Sequence, residues 1–136
     1  MTDRRGWIAA LAGAALLCTA GRALAAPPLV EIVAMAHPPV KAALAPLREW
    51  LVAQGKRITL REIDAESADG TKRLQAAGLS GHVPVLILID GQYRIRRKDG
   101  GMVELVNFPN QPDTPAGARG AWTVAEVQAV LAERIK

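Results

Sequence analysis

Cysteine is nearly absent from this chain of 136 residues, and the one present, Cys18, lies in a segment that reads as a leader. A mature protein beginning near Ala26 is expected to hold no thiol. That excludes a thiolate nucleophile, thiol–disulfide exchange and a structural disulfide, even in a compartment that would permit one. Aromatic residues are scarce as well: after the leader only Trp50, Tyr93, Phe108 and Trp122 occur, so the core has to be built mostly from Val, Leu, Ile and Ala. A strong excess of one charge is also lacking. Of the 17 Lys and Arg, three (Arg4, Arg5, Arg22) fall in the leader, together with Asp3 from the 13 acids. The remaining 14 bases against 12 acids give a net charge of +2, which is no electrostatic footprint for nucleic acid. No Ser-His-Asp set, phosphate-cradling loop or zinc-binding spacing is recognisable.

Long hydrophobic runs are missing too. The apolar stretch from Trp7 to Cys18 is about half the roughly 20 residues that cross a bilayer, and Pro27-Pro28 stops a helix from continuing beyond it. Arg4 and Arg5 precede the stretch and Ala23-Leu24-Ala25, a small-x-small cleavage pattern, follows it. These features predict a cleaved export signal peptide over residues 1–25. The expected destination is the periplasm of a bacterium, or secretion, with no transmembrane segment in the mature chain. Residues 26–136 are enough for a single domain that buries a core without staples.

Within that domain the hydrophobic period changes repeatedly. Leu29 to Ala36 is a short β-branched apolar run interrupted by Glu31, which predicts a buried strand. Val40, Leu44, Leu47 and Leu51 then fall at helical spacing, with Pro46 inside the helix and Gln54-Gly55 at its end. Arg57 to Asp64 alternates as a second strand, and Ser67 is placed to cap a short helix that closes at Gly78. Val83 to Ile89 is the most apolar run and predicts a central strand. Asp90-Gly91 and Lys98-Asp99-Gly100-Gly101 are turn signals around antiparallel strands at Tyr93 to Arg97 and Met102 to Val106. Thr123 with Glu126 forms a capping box for a last amphipathic helix. The predicted order is β-α-β-α-β-β-β-α, an α/β fold with a central mixed sheet flanked by helices.

This order resembles the thioredoxin-like superfamily over essentially the whole mature chain. Three features carry the resemblance: the strand-to-helix junction at His37 to Val40, Pro46 within the first long helix, and Val83-Pro84 opening a strand that ends at Asp90-Gly91. The junction corresponds to the loop that carries the paired redox cysteines in that family. Here it reads Met35-Ala36-His37-Pro38-Pro39-Val40, so the chain resembles a branch without them, and no thiol–disulfide oxidoreductase activity is expected. The resemblance implies a cis bond before Pro84 and a groove beside it where such folds hold extended polypeptide.

The expected binding groove is lined by His37, Pro38, Pro39, His82, Val83 and Pro84. With the bond before Pro84 cis, unpaired backbone at His82 and Val83 would take an incoming strand by β-augmentation, the partner being a peptide or an envelope protein. The alternative is a periplasmic accessory protein with a copper-type metal site at His37 and His82, and Met35 as a soft third ligand. Against it, three ligands barely make a site, and a strand methionine more often fills core space. Arg94, Arg96 and Lys98 read as one face of a strand, most simply a solvated edge that blocks aggregation. Asp64, Glu66 and Asp69 match no calcium loop and are explained by helix starts. The irregular stretch Asn107 to Ala121 is long enough to be functional, with Phe108 and Trp122 placed to pin its ends.

Overall fold

A computed structural model describes residues 26–135; the expected signal peptide and its cleavage site after Ala25 lie outside the described residues. The chain forms a mixed α/β arrangement with three α-helices and a three-stranded mixed sheet. The elements run β1 (Leu29–Ala34), α1 (Pro38–Ala53), β2 (Thr59–Asp64), α2 (Ala68–Ala76), β3 (Val85–Ile89), β4 (Arg94–Arg96), β5 (Met102–Glu104) and α3 (Val124–Arg134). Single 3-10 turns stand at Gly55–Arg57 and Ala116–Ala118. No helix among the described residues is long and apolar enough to cross a membrane.

The sheet order is β2-β1-β3, with β1 parallel to β2 and antiparallel to β3. β4 and β5 pair as a separate antiparallel hairpin. Just past β5 the chain returns to β3: Ile87 N–H donates to Leu105 O at 3.0 Å and Asn107 N–H to Val85 O at 2.8 Å. A bridge between Leu86 and Val106 lies between these bonds.

Alternation along β1 decides what each face meets. Val30, Ile32 and Ala34 face the larger apolar cluster, which contains Leu44, Leu47 and Leu51 of α1 and Val127 and Leu131 of α3. Val33 faces the smaller cluster on the other side, against Leu74 of α2. Each fully buried Leu or Ile contributes about 1.5–3 kcal/mol, so the packing of α1 outweighs the roughly 3 kcal/mol that a proline costs inside a helix. The helix is accordingly continuous across Pro46.

Local signals in the sequence set most of the ends. Ser67 Oγ accepts from Gly70 N–H at 3.0 Å, and Thr123 and Glu126 exchange both bonds of the capping box. Asp90 and Gly91 both take positive φ, 50° and 80°, as a two-residue hairpin turn of the I′ kind requires. Gln92 N–H donates to Ile89 O and Ile89 N–H to Gln92 O across it. Two expectations are corrected. The bond before Pro84 is trans, as are all peptide bonds among the described residues. With the bond trans the chain enters β3 in line with its ladder, and the carbonyl of Pro84 accepts from Met35 N–H at 2.9 Å. The strand of the basic row is also shorter than expected: β4 ends at Arg96, and Lys98 lies beyond it with its Nζ 3.2 Å from Glu133 of α3.

Candidate functional site

Four chain segments leave the sheet at one end. β1 and β2 are parallel and in register, so Ala34 stands beside Asp64 and their following segments emerge together. β3 is antiparallel and enters at the same end, with Val85 opposite Ala34. The bond from Asn107 to Val85 brings the start of the 107–121 segment there as well. Crevices at the carboxyl ends of parallel strands are the usual ligand positions in open α/β sheets, most of all where the following helices go to opposite faces. α1 and α2 do so here.

The six residues of the expected groove gather at this end by topology. His37, Pro38, Pro39 and His82 are exposed, whereas Val83 and Pro84 are buried and form floor rather than rim. Gly81, His82 and Val83 make no backbone hydrogen bond to any described residue, and neither do the N–H groups of Ala36 and His37. The expectation tied free backbone here to a cis bond; the bond is trans, and the backbone without partners adjoins the Met35–Pro84 bond.

The start of α1 is poor in donors. Pro38 and Pro39 have no N–H, and the N–H groups of Val40 and Lys41 both turn back to His37 O at 3.0 Å. An anion finds little to bind at a helix start whose first turn has lost or spent its donors. His37 caps nothing with its side chain, and its Nε2 lies 3.5 Å from Glu66 Oε2 in a half-exposed pair that bridges the segments after β1 and β2. Asp64 is engaged locally, its Oδ1 accepting from Glu66 N–H.

Met35 is partly buried and packs against both apolar clusters. Among the described residues no three His, Cys, Asp or Glu side chains gather as a metal-ligating group.

The 107–121 segment is tied down at every turn. Trp122 is fully buried and its indole N–H donates to Asn107 O at 3.1 Å. Gly120 N–H donates to Phe108 O, and Arg119 donates to Thr114 O at 2.6 Å and to Pro112 O at 3.3 Å. Gln111 Nε2 reaches across to Ala43 O of α1 at 3.2 Å. A recess of about 290 Å³ remains between α1 and the segment, with Pro39 on its α1 side and Phe108 opposite. The sequence marked the segment by its length but gave no sign of this recess, because Gln111 and Ala43 are far apart in the chain. A larger hollow of about 510 Å³ lies between the hairpin and α3, spanned by Arg97–Glu126 and Lys98–Glu133 ion pairs whose charges cancel.

Comparison with protein-family models, with curated proteins and with solved structures returns no match for this chain.

Proposed function

We propose that this chain is an exported protein of thioredoxin-like arrangement, without thiol redox activity, that binds an extended polypeptide or an envelope partner at the surface beside Pro84. The arrangement is supported by the β2-β1-β3 order, by the return of Leu105 to Asn107 along β3, and by helices on both faces. The absence of cysteine after residue 25 removes thiol redox chemistry on grounds of composition. One observation carries the binding reading: the backbone of Gly81 to Val83 is unclaimed where it adjoins the Met35–Pro84 bond.

An extended chain laid there gains backbone hydrogen bonds in the manner of an added strand. Two or three such bonds, at about 1 kcal/mol net each, give only weak affinity. Side-chain contacts to the neighbouring corner of His37, Pro38 and Pro39 have to supply the rest.

The reading is tested by placing a photo-reactive residue at exposed position 82 and offering a permanently unfolded, carboxymethylated polypeptide. Crosslinks form from position 82 and not from position 59, on the exposed strand β2 toward the other end of the sheet. Equal yields from both positions, or none from 82, refute the assignment.

A further inference from the structure

The recess between α1 and the 107–121 segment adjoins the proposed polypeptide surface at Pro39, and its chemistry, on that reading, names one side chain of the bound polypeptide. At about 290 Å³ it falls just under the roughly 300–1,000 Å³ of pockets that take whole small molecules, the scale of a single long side chain. Its walls are mainly apolar, with Pro39 and Ala42 on one side and Phe108 and Pro115 on the other.

Most of its side-chain donors are engaged. Thr114 Oγ1 donates to Pro109 O, and Gln111 Nε2 gives one of its two N–H groups to Ala43 O, which leaves Gln111 Oε1 as an acceptor beside the other N–H. Phe108 N–H is taken by Ala118 O, and Pro39 and Pro115 have none. On the α1 wall, the helical donor to the carbonyl of Ala42 would be residue 46, which is proline.

Asp113 is exposed, lines the same recess, and makes no ion pair or side-chain hydrogen bond to any described residue. Arg119, whose guanidinium bonds within the same segment, directs its Nη2 to the carbonyls of Pro112 and Thr114. A recess with apolar walls, free acceptors and one unpaired carboxylate disfavours an anion. It fits an aliphatic stem packed along Pro39, Ala42 and Phe108 that ends in a cation.

We propose that this recess is a side-chain pocket for a lysine or arginine of the bound polypeptide, with Asp113 as the counter-ion. The test uses randomised hexapeptides, acetylated and amidated, selected on the wild-type protein and on Asp113→Asn. Asp69→Asn, on the exposed surface of α2, controls for the loss of one negative charge. Lys or Arg is enriched at least fivefold at one position on the wild type and on the Asp69 variant, and the enrichment disappears on Asp113→Asn. Amide resonances of Gln111, Asp113 and Thr114 shift with a selected basic peptide. Binders without a basic preference, or a preference that survives Asp113→Asn, overturn the pocket while leaving the polypeptide surface standing. Failure to select any binder on the wild type overturns both.

Discussion

The backbone N–H of Met35 donates to the carbonyl of Pro84 across 2.9 Å, joining two corners that lie 49 positions apart in the chain. This bond extends the β1–β3 ladder one step past Ala34 and Val85, and beyond it neither chain has a backbone partner until α1 begins on one side. The site is thus the place where a sheet stops before its strands have run out of backbone groups to pair.

Gly70 sits in α2 where its Cβ, if it had one, would lie 2.1 Å from Asp64 O and 2.7 Å from Ala65 Cα. Alanine normally stabilises a helix over glycine by about 1 kcal/mol. Here the sign reverses, because α2 has to move off the end of β2. Gly70→Ala is expected to lower stability by about 2 kcal/mol in urea denaturation, whereas unchanged or raised stability would show that α2 is not seated against the end of β2.

Glu31 is buried on the α2 face of the sheet and accepts from Arg73 Nε at 3.1 Å and Nη2 at 3.0 Å. Removing the arginine alone leaves a desolvated carboxylate. Arg73→Met is expected to cost about 2 kcal/mol, a figure discounted because the arginine is partly exposed. The double variant Glu31→Leu with Arg73→Met should recover most of that loss, and a purely additive double-mutant cycle would contradict the pairing.

Glu126 serves two partners. One carboxylate oxygen accepts from Thr123 N–H at 3.0 Å in the capping box and the other from Arg97 Nε at 2.8 Å. Glu126→Gln can keep the cap but loses the charge on the hairpin, so it should cost less than Glu126→Ala. Thr123→Ala, which removes the reciprocal bond, is expected to cost about 1 kcal/mol by thermal or chemical denaturation.

Gly120 has no room for a side chain: a Cβ there would lie 2.3 Å from Val106 O and 2.8 Å from Phe108 O. Gly120→Ala should therefore loosen the 107–121 segment and weaken binding of basic peptides severalfold. Hydrogen exchange at Phe108, whose N–H is held by Ala118 O, should rise in parallel. Unaltered exchange at Phe108 would show that the segment is not held by this close approach.

The sequence was legible wherever the cause of structure is local. Helical spacing from Val40 to Leu51, the caps at Ser67 and Thr123, and the Asp90-Gly91 turn each state their own geometry within a few residues. The shared sheet end was legible only through the order of elements and a family resemblance. What could not be read depends on distant partners. The trans state of Pro84 is set by surroundings that the dipeptide does not encode, and the pairing of Lys98 with Glu133 depends on where α3 packs. Burial of Glu31 reads as an interruption in a strand until Arg73 is placed beside it. The recess at Asp113 exists because Gln111 ties its segment to α1 across 68 positions.

Pairing of an extended polypeptide with the free backbone beside Pro84 is read directly by amide hydrogen exchange at Gly81, His82 and Val83. The measurement compares the protein alone with the protein saturated by a carboxymethylated, unfolded polypeptide. At least tenfold slower exchange is expected at these amides when the polypeptide is bound, with the Arg94 to Arg96 strand unaffected. Binding that leaves the exchange of residues 81–83 unchanged would contradict this pairing.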